Sequence, residues 1–194
     1  LAAAPEDAEA REGLSRALTL AGVLKDRNLR DAPARTSVSS PVARVRAGRR
    51  YFEIQGPGGW SPFLVKGVNL GVALPGKFPA EFPEDEALYR DWLGKIRRMS
   101  ANAVRLYTLL PPAFYAALAA ENRAHPETPL RLVQGVWVEL PPENDFGDRE
   151  WNDAYATEIR RVIDAVHGNL EVAPRPGHAS GRYAADVSPW LLGF

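Results

Sequence analysis

An arginine stands alone in the middle of an apolar run. Residues 100–112 read Ser-Ala-Asn-Ala-Val-Arg-Leu-Tyr-Thr-Leu-Leu-Pro-Pro, and taken as a strand their period of two puts Ala103, Arg105, Tyr107 and Leu109 on one face and Val104, Leu106 and Thr108 on the other. Both faces are largely apolar, as expected of a strand in a parallel sheet covered on both sides. A guanidinium there needs a carboxylate partner or a polar cavity. The same alternation applied to two neighbouring runs adds Asn69 from Phe63–Gly71 and Trp137 and Glu139 from Leu130–Leu140. Together these side chains supply an amide and a guanidinium for hydrogen bonding to oxygen, two aromatic faces for stacking, and one carboxylate.

The elements that must position them follow in chain order. Residues 5–25 carry an early proline, acids Glu6, Asp7 and Glu9, and Leu14, Leu18 and Ala21 at helical spacing, which predicts a prefix helix. Residues 26–41 are polar and non-periodic, a linker. A hairpin is expected over Val42–Gln55 around Ala47-Gly48, then a Gly-rich turn and a third short strand from Trp60. Three core strands are predicted at about 63–70, 103–110 and 130–139, with a fourth beginning near 194. Between them lie helices over Glu84–Met99 (stripe Leu88, Trp92, Ile96, Met99), from Pro111-Pro112 to Arg123, and over Glu150–His167 with Gly168 as its C′ residue. Ser188 and Pro189 suggest an N-cap and first turn of one more short helix. Strand and helix alternate, so the fold class is α/β with a parallel sheet.

Composition narrows the classes of function. The 194 residues carry 24 Lys+Arg against 24 Asp+Glu, a net charge of zero, which argues against a nucleic-acid partner held by phosphate neutralisation and against a polybasic membrane contact. No apolar run reaches the ~18 residues of a membrane helix. The absence of cysteine removes thiolate nucleophiles, disulfides and thiolate zinc sites. The chain starts at Leu1-Ala-Ala-Ala-Pro5, which fits the surroundings of a signal cleavage site, hence export to a bacterial periplasm or medium, and fits domain trimming equally.

Phe63-Leu-Val-Lys-Gly-Val-Asn-Leu-Gly71, a helix, and then Met99-Ser-Ala-Asn-Ala-Val-Arg-Leu-Tyr107 resemble the opening of the glycoside hydrolase barrels of the clan that includes cellulases and family 2 β-glycosidases. The resemblance spans roughly residues 42–194 and implies the N-terminal half of a (β/α)8 TIM barrel, with the prefix helix ahead of it and a short hairpin closing the barrel floor. It further implies action on β-linked oligo- or polysaccharides by a two-carboxylate mechanism, with no cofactor. Arg105 would support the nucleophile, and Asn69, Tyr107, Trp137 and Glu139 would shape the sugar subsite. Barrels of this clan carry the acid/base at the end of strand four and the nucleophile at the end of strand seven, so both are expected beyond Phe194 and this chain alone is expected to be inactive. The rest of the barrel, or a partner chain, would be needed to cover the open strand edges.

Blander readings stand beside these. Glu139 could bind a sugar hydroxyl or be the ion-pair partner of Arg105, and Tyr107 and Trp137 could stack on a pyranose or belong to the core. His125, His167 and His178 lack metal-ligand spacing, and the acids Glu143, Asp145 and Asp148 with Asn144 read as a solvated turn before a helix rather than a calcium loop. A non-catalytic carbohydrate-binding or scaffold module derived from the same barrel is the alternative to an enzyme.

Overall fold

Four short strands pair in parallel in the order in which the chain makes them, and the rest of the fold is arranged about that sheet. The computed structural model describes residues 45–56, 58–71, 73–78 and 81–194, all within the unit Pro41–Phe194. The expected prefix helix and linker lie outside the described residues.

An antiparallel meander comes first, β1 (Val45–Ala47), β2 (Phe52–Gly56) and β3 (Gly59–Phe63), in the order β1-β2-β3. The parallel sheet follows: β4 (Gly67–Asn69), β5 (Ala103–Leu106), β6 (Arg131–Gln134) and, after a two-stranded hairpin of β7 (Leu170–Val172) and β8 (Gly181–Tyr183), β9 (Leu191–Gly193). Its order is β4-β5-β6-β9. The fourth parallel strand thus begins at Leu191.

Three α-helices make the crossovers. In α1 (Glu86–Arg98), Asp85 is the N-cap and accepts from the Ala87 amide at 2.8 Å, while Lys95, Arg97 and Arg98 end the helix on the side its dipole favours. The helix therefore starts two residues later than the acid run suggests, because Asp85 serves as cap. Its buried residues are Tyr89, Leu93, Gly94 and Ile96, and Met99 is exposed. The stripe is rotated from the expected one because Tyr89 turns inward to meet both Trp92 and Phe114 edge-on.

Helix α2 (Pro112–Ala124) has Pro112 in its first turn, and α3 (Arg149–Val166) is capped by Asp148, which accepts from the Trp151 amide at 2.6 Å. Gly168 follows the C-cap His167 with φ +68°, and a Cβ there would run into the backbone of residues 184–186. The last turn, Ser188–Trp190, is 3-10, and its cap is Val187 rather than Ser188; the Asp186 carboxylate accepts from the Ser188 amide at 2.9 Å instead.

Val104, Leu106 and Leu132 on one face of the sheet are buried with Tyr89, Leu93, Phe114, Leu118, Val162 and Val166 of the helices, and Val68 packs against this cluster. The opposite face is different. Gly67, Asn69 and Arg105 are exposed and Val133 is half-buried, with small Ala103 alone fully buried along the strands. Among the described residues the sheet is covered on one face, not on two as its apolar strands suggest. All three helices lie on the covered side because the strands are added in sequential order.

Polar side chains hold the layer to the sheet. Asn122 is buried near the end of α2; its Nδ2 donates to the Leu130 carbonyl at 2.9 Å and its Oδ1 accepts from the Leu130 amide at 2.8 Å, fixing the approach to β6. A chain of aromatic rings, Trp92, Tyr89, Phe114, Tyr115 and Tyr183, runs through the core with edge-type contacts and centroids 5.3–5.7 Å apart.

Asn122→Ala leaves both backbone groups of Leu130 without partners and is expected to cost about 2–3 kcal/mol in urea unfolding. Burial, with Glu84 nearby for Tyr89 and Glu158 for Tyr183, also raises the phenols of Tyr89, Tyr115 and Tyr183 above their ordinary value. In the unfolded chain these phenols ionise near pH ~10, whereas the native state keeps them protonated. Above that pH the native state binds more protons than the unfolded one, so stability falls as pH rises. The urea midpoint is expected to drop between pH 10 and 12 (about the range above the free phenol value), with a shallower drop in Tyr183→Phe; an unchanged slope in that variant would contradict the assignment.

Candidate functional site

Asn69, Arg105 and Val133 are register partners across β4, β5 and β6, and Gly193 pairs with Val133 after a one-residue irregularity. They form one row across the uncovered face near the C-terminal ends of the strands. Adjacent strands are about 4.8 Å apart, so Asn69 and Arg105 are neighbouring positions across the sheet. Two residues further along β5's course the Tyr107 ring is 43% exposed, and the Arg105 Cζ lies 4.8 Å from its centroid.

No carboxylate among the described residues forms an ion pair with Arg105. The expectation of a buried pair, with Glu139 as one candidate partner, is corrected by the open face: a solvated guanidinium loses no hydration and needs no counter-ion.

The third core strand is shorter than its apolar run. The Gly135 amide makes the last rung, donating to the Leu106 carbonyl at 3.0 Å. Here the chains come so close that a Cβ on Gly135 would collide with the Leu106 and Tyr107 carbonyl oxygens. Gln134, fully buried on the helix side, secures the strand ends: its Oε1 accepts from the Tyr115 hydroxyl at 2.8 Å, and its Nε2 donates to the carbonyls of Thr108 (3.2 Å) and Gly135 (2.9 Å).

Trp137 and Glu139 therefore lie beyond β6, on the loop to α3, and not in the row of Asn69 and Arg105. Trp137 is 54% exposed and Glu139 is exposed. The loop is tied down where the Trp151 indole donates to the Glu139 carbonyl at 2.8 Å, and Trp151 itself stacks on Tyr155 and meets Phe146 edge-on. Asp145 accepts from the Gly147 amide and Asp148 caps α3, so two acids of this loop serve local turns. No cluster suited to a metal ion occurs among the described residues.

Between α3 and the C-terminal ends of β5 and β6, a cleft of about 480 Å³ is bounded by Arg105, Val133, Tyr155, Ile159, Ile163 and Phe194. Its Gln134 wall offers no free amide, since both ends of that group are hydrogen-bonded. A larger hollow of about 690 Å³ lies between Pro111-Pro112 and the β7–β8 hairpin, with Glu84 and Glu171 on its walls.

The signal for Gln134 was an amide at a core phase of an apolar strand. Asn102 carried a similar signal within the motif before Arg105. Its Oδ1 accepts from the Lys66 amide at 2.7 Å and its Nδ2 donates to the Leu64 carbonyl at 2.8 Å, which latches the entry of β4 onto β5 and thereby sets Asn69 beside Arg105.

Arg105→Ala is expected to change unfolding free energy by no more than about 0.5 kcal/mol, the ordinary range for an exposed position. Gly135→Ala, by contrast, should cost about 1–3 kcal/mol through overpacking at the carbonyls it faces. Equal losses in the two variants, measured by urea unfolding, would contradict this picture of the open face. No protein-family model, curated protein or solved structure matches this chain, which leaves the geometry of the open face as the ground on which a function can be assigned.

Proposed function

We propose that the chain forms the first half of a glycoside hydrolase-like (β/α)8 barrel and that its open face binds β-linked sugars. The observation that carries this reading is the sheet itself: four parallel strands in sequential order, helices on one face, and on the other a row of Asn69 and Arg105 at the C-terminal strand ends. Continued around to closure, such a sheet turns its uncovered face into the barrel interior and the C-terminal ends of its strands, where Asn69 and Arg105 stand, into the mouth at which barrel enzymes hold their substrates. The residue types suit a saccharide. An amide and a guanidinium side by side match vicinal hydroxyls, and the exposed Tyr107 and Trp137 rings offer apolar faces to pyranose C–H surfaces.

Hydrolysis in this reading belongs to an intact barrel. Two carboxylates flank the scissile bond in a two-carboxylate mechanism, with Arg105 bracing the nucleophile as the resemblance implies. Among the described residues β4 and β9 are edge strands, whose outer backbone groups would pair with the remaining strands or with a partner chain. The alternative, a binding or scaffold module without chemistry, is favoured by one observation: of the two groups such a mechanism needs, the acids weighed for this face reduce to Glu139, exposed on a loop and outside the row.

Calorimetric titration of this chain with a β-1,4-linked gluco-oligosaccharide is expected to show binding without release of reducing ends, and Trp137→Ala to weaken it about tenfold, or ~1.4 kcal/mol. Absence of binding across a panel of β-linked oligosaccharides would overturn the proposal.

A further inference from the structure

We infer that Asn102 is a positioning residue for the open face: it sets which residue of the segment 63–71 stands level with Arg105, and so places Asn69 for the ligand without touching the ligand itself; this rests on the sugar-binding reading above. β4 contributes only three residues to the sheet, and among the described residues it pairs with β5 alone. Its register needs a determinant, because a slip by one residue would turn Asn69 toward the helices and Val68 outward. Val68 and Leu70 are only partly buried against the core, a looser constraint than the fully buried Val104 and Leu106 place on β5.

Asn102 supplies that determinant from the foot of the sheet. Its Oδ1 accepts from the Lys66 amide at 2.7 Å while its main-chain amide donates to the Lys66 carbonyl at 2.9 Å, so one residue reads both main-chain groups of the other. Its Nδ2 reaches on to the Leu64 carbonyl at 2.8 Å, and its own carbonyl accepts from the Arg131 amide at 2.9 Å, which carries the same alignment across to β6. Lys66 precedes Asn69 by the same interval as Asn102 precedes Arg105. In parallel strands of equal rise, an alignment fixed at the foot is therefore reproduced at the row, about 10 Å further up. The Leu70 amide, donating to the Arg105 carbonyl at 2.9 Å, closes the last rung there. The side chain must be an amide to do this: aspartate keeps the acceptor for Lys66 but loses the donor for Leu64, and alanine loses both.

The test is a double-mutant cycle on the whole chain, read by calorimetric titration with cellotetraose. Asn102→Ala and Asn69→Ala are each expected to weaken binding about fivefold, the worth of one neutral hydrogen bond. The double variant should bind no more weakly than Asn69→Ala alone, whereas Asn102→Ala combined with Trp137→Ala should show the product of the two single losses, since Trp137 stands on a loop that Asn102 does not align. A merely structural loosening would weaken binding in every background alike. Circular dichroism and the urea midpoint check the fold of each variant, and Asn102→Asp, which retains the Lys66 contact, gives the same coupling at smaller amplitude where Asn102→Ala does not fold. Unchanged affinity in Asn102→Ala or in Asn69→Ala, or losses that multiply in the pair, overturns the inference while the sugar-binding reading stands. Failure of the native chain to bind any oligosaccharide of a β-linked panel overturns that reading and the inference with it.

Discussion

The constraint on which this structure rests is one-sided burial of a four-stranded parallel sheet. Strands of three or four residues give little hydrogen bonding of their own, so the sheet depends on Val104, Leu106 and Leu132 being sealed beneath α1, α2 and α3. Apolar side chains on the covered face set the register, since a slip by one residue would exchange Val104 and Leu106 with Arg105. Everything displayed on the other face, from Asn69 across to Gly193, inherits its level from that register.

Small polar groups refine what the apolar layer begins. Asn122 fastens α2 to the start of β6, Gln134 fastens its end, and Tyr183 reaches from the β7–β8 hairpin to the Leu110 carbonyl at 2.9 Å. Each is a neutral hydrogen bond in a dry setting, where the loss of one partner costs more than the bond itself contributes in water. The aromatic chain from Trp92 to Tyr183 links the same elements through edge-on rings, so the helix layer and the hairpin are bound into one core.

Much of this was legible in the residue pattern because it is local. The caps and charge gradients of the helices, the positive φ at Gly168 and the parallel strand–helix alternation follow from short-range chemistry. What could not be read was which side of an apolar strand faces a layer. Both faces of Arg105's strand are apolar in type, which is the ground for expecting a carboxylate; by the same alternation Tyr107 and Leu109 share its side, yet Tyr107 is exposed and Leu109 buried. The end of β6 was also hidden, since nothing in the run through Trp137 to Leu140 discloses that Gly135 meets the backbone of its neighbour and that the ladder stops there. Asn102, set within the motif that suggested a barrel, is a latch rather than a ligand in this fold.

That latch bears on motion as well as position. Asn102 joins β5 to backbone groups 36 and 38 residues earlier in the chain, and β4, three residues long, has one neighbouring strand among the described residues. An edge segment held by so few rungs opens at lower free energy than the strands sealed beneath the helices. When it opens, Asn69 leaves while Arg105 and Tyr107 stay with the core. A ligand that engages Asn69 would favour the paired state of β4 by mass action, binding and local ordering being one event.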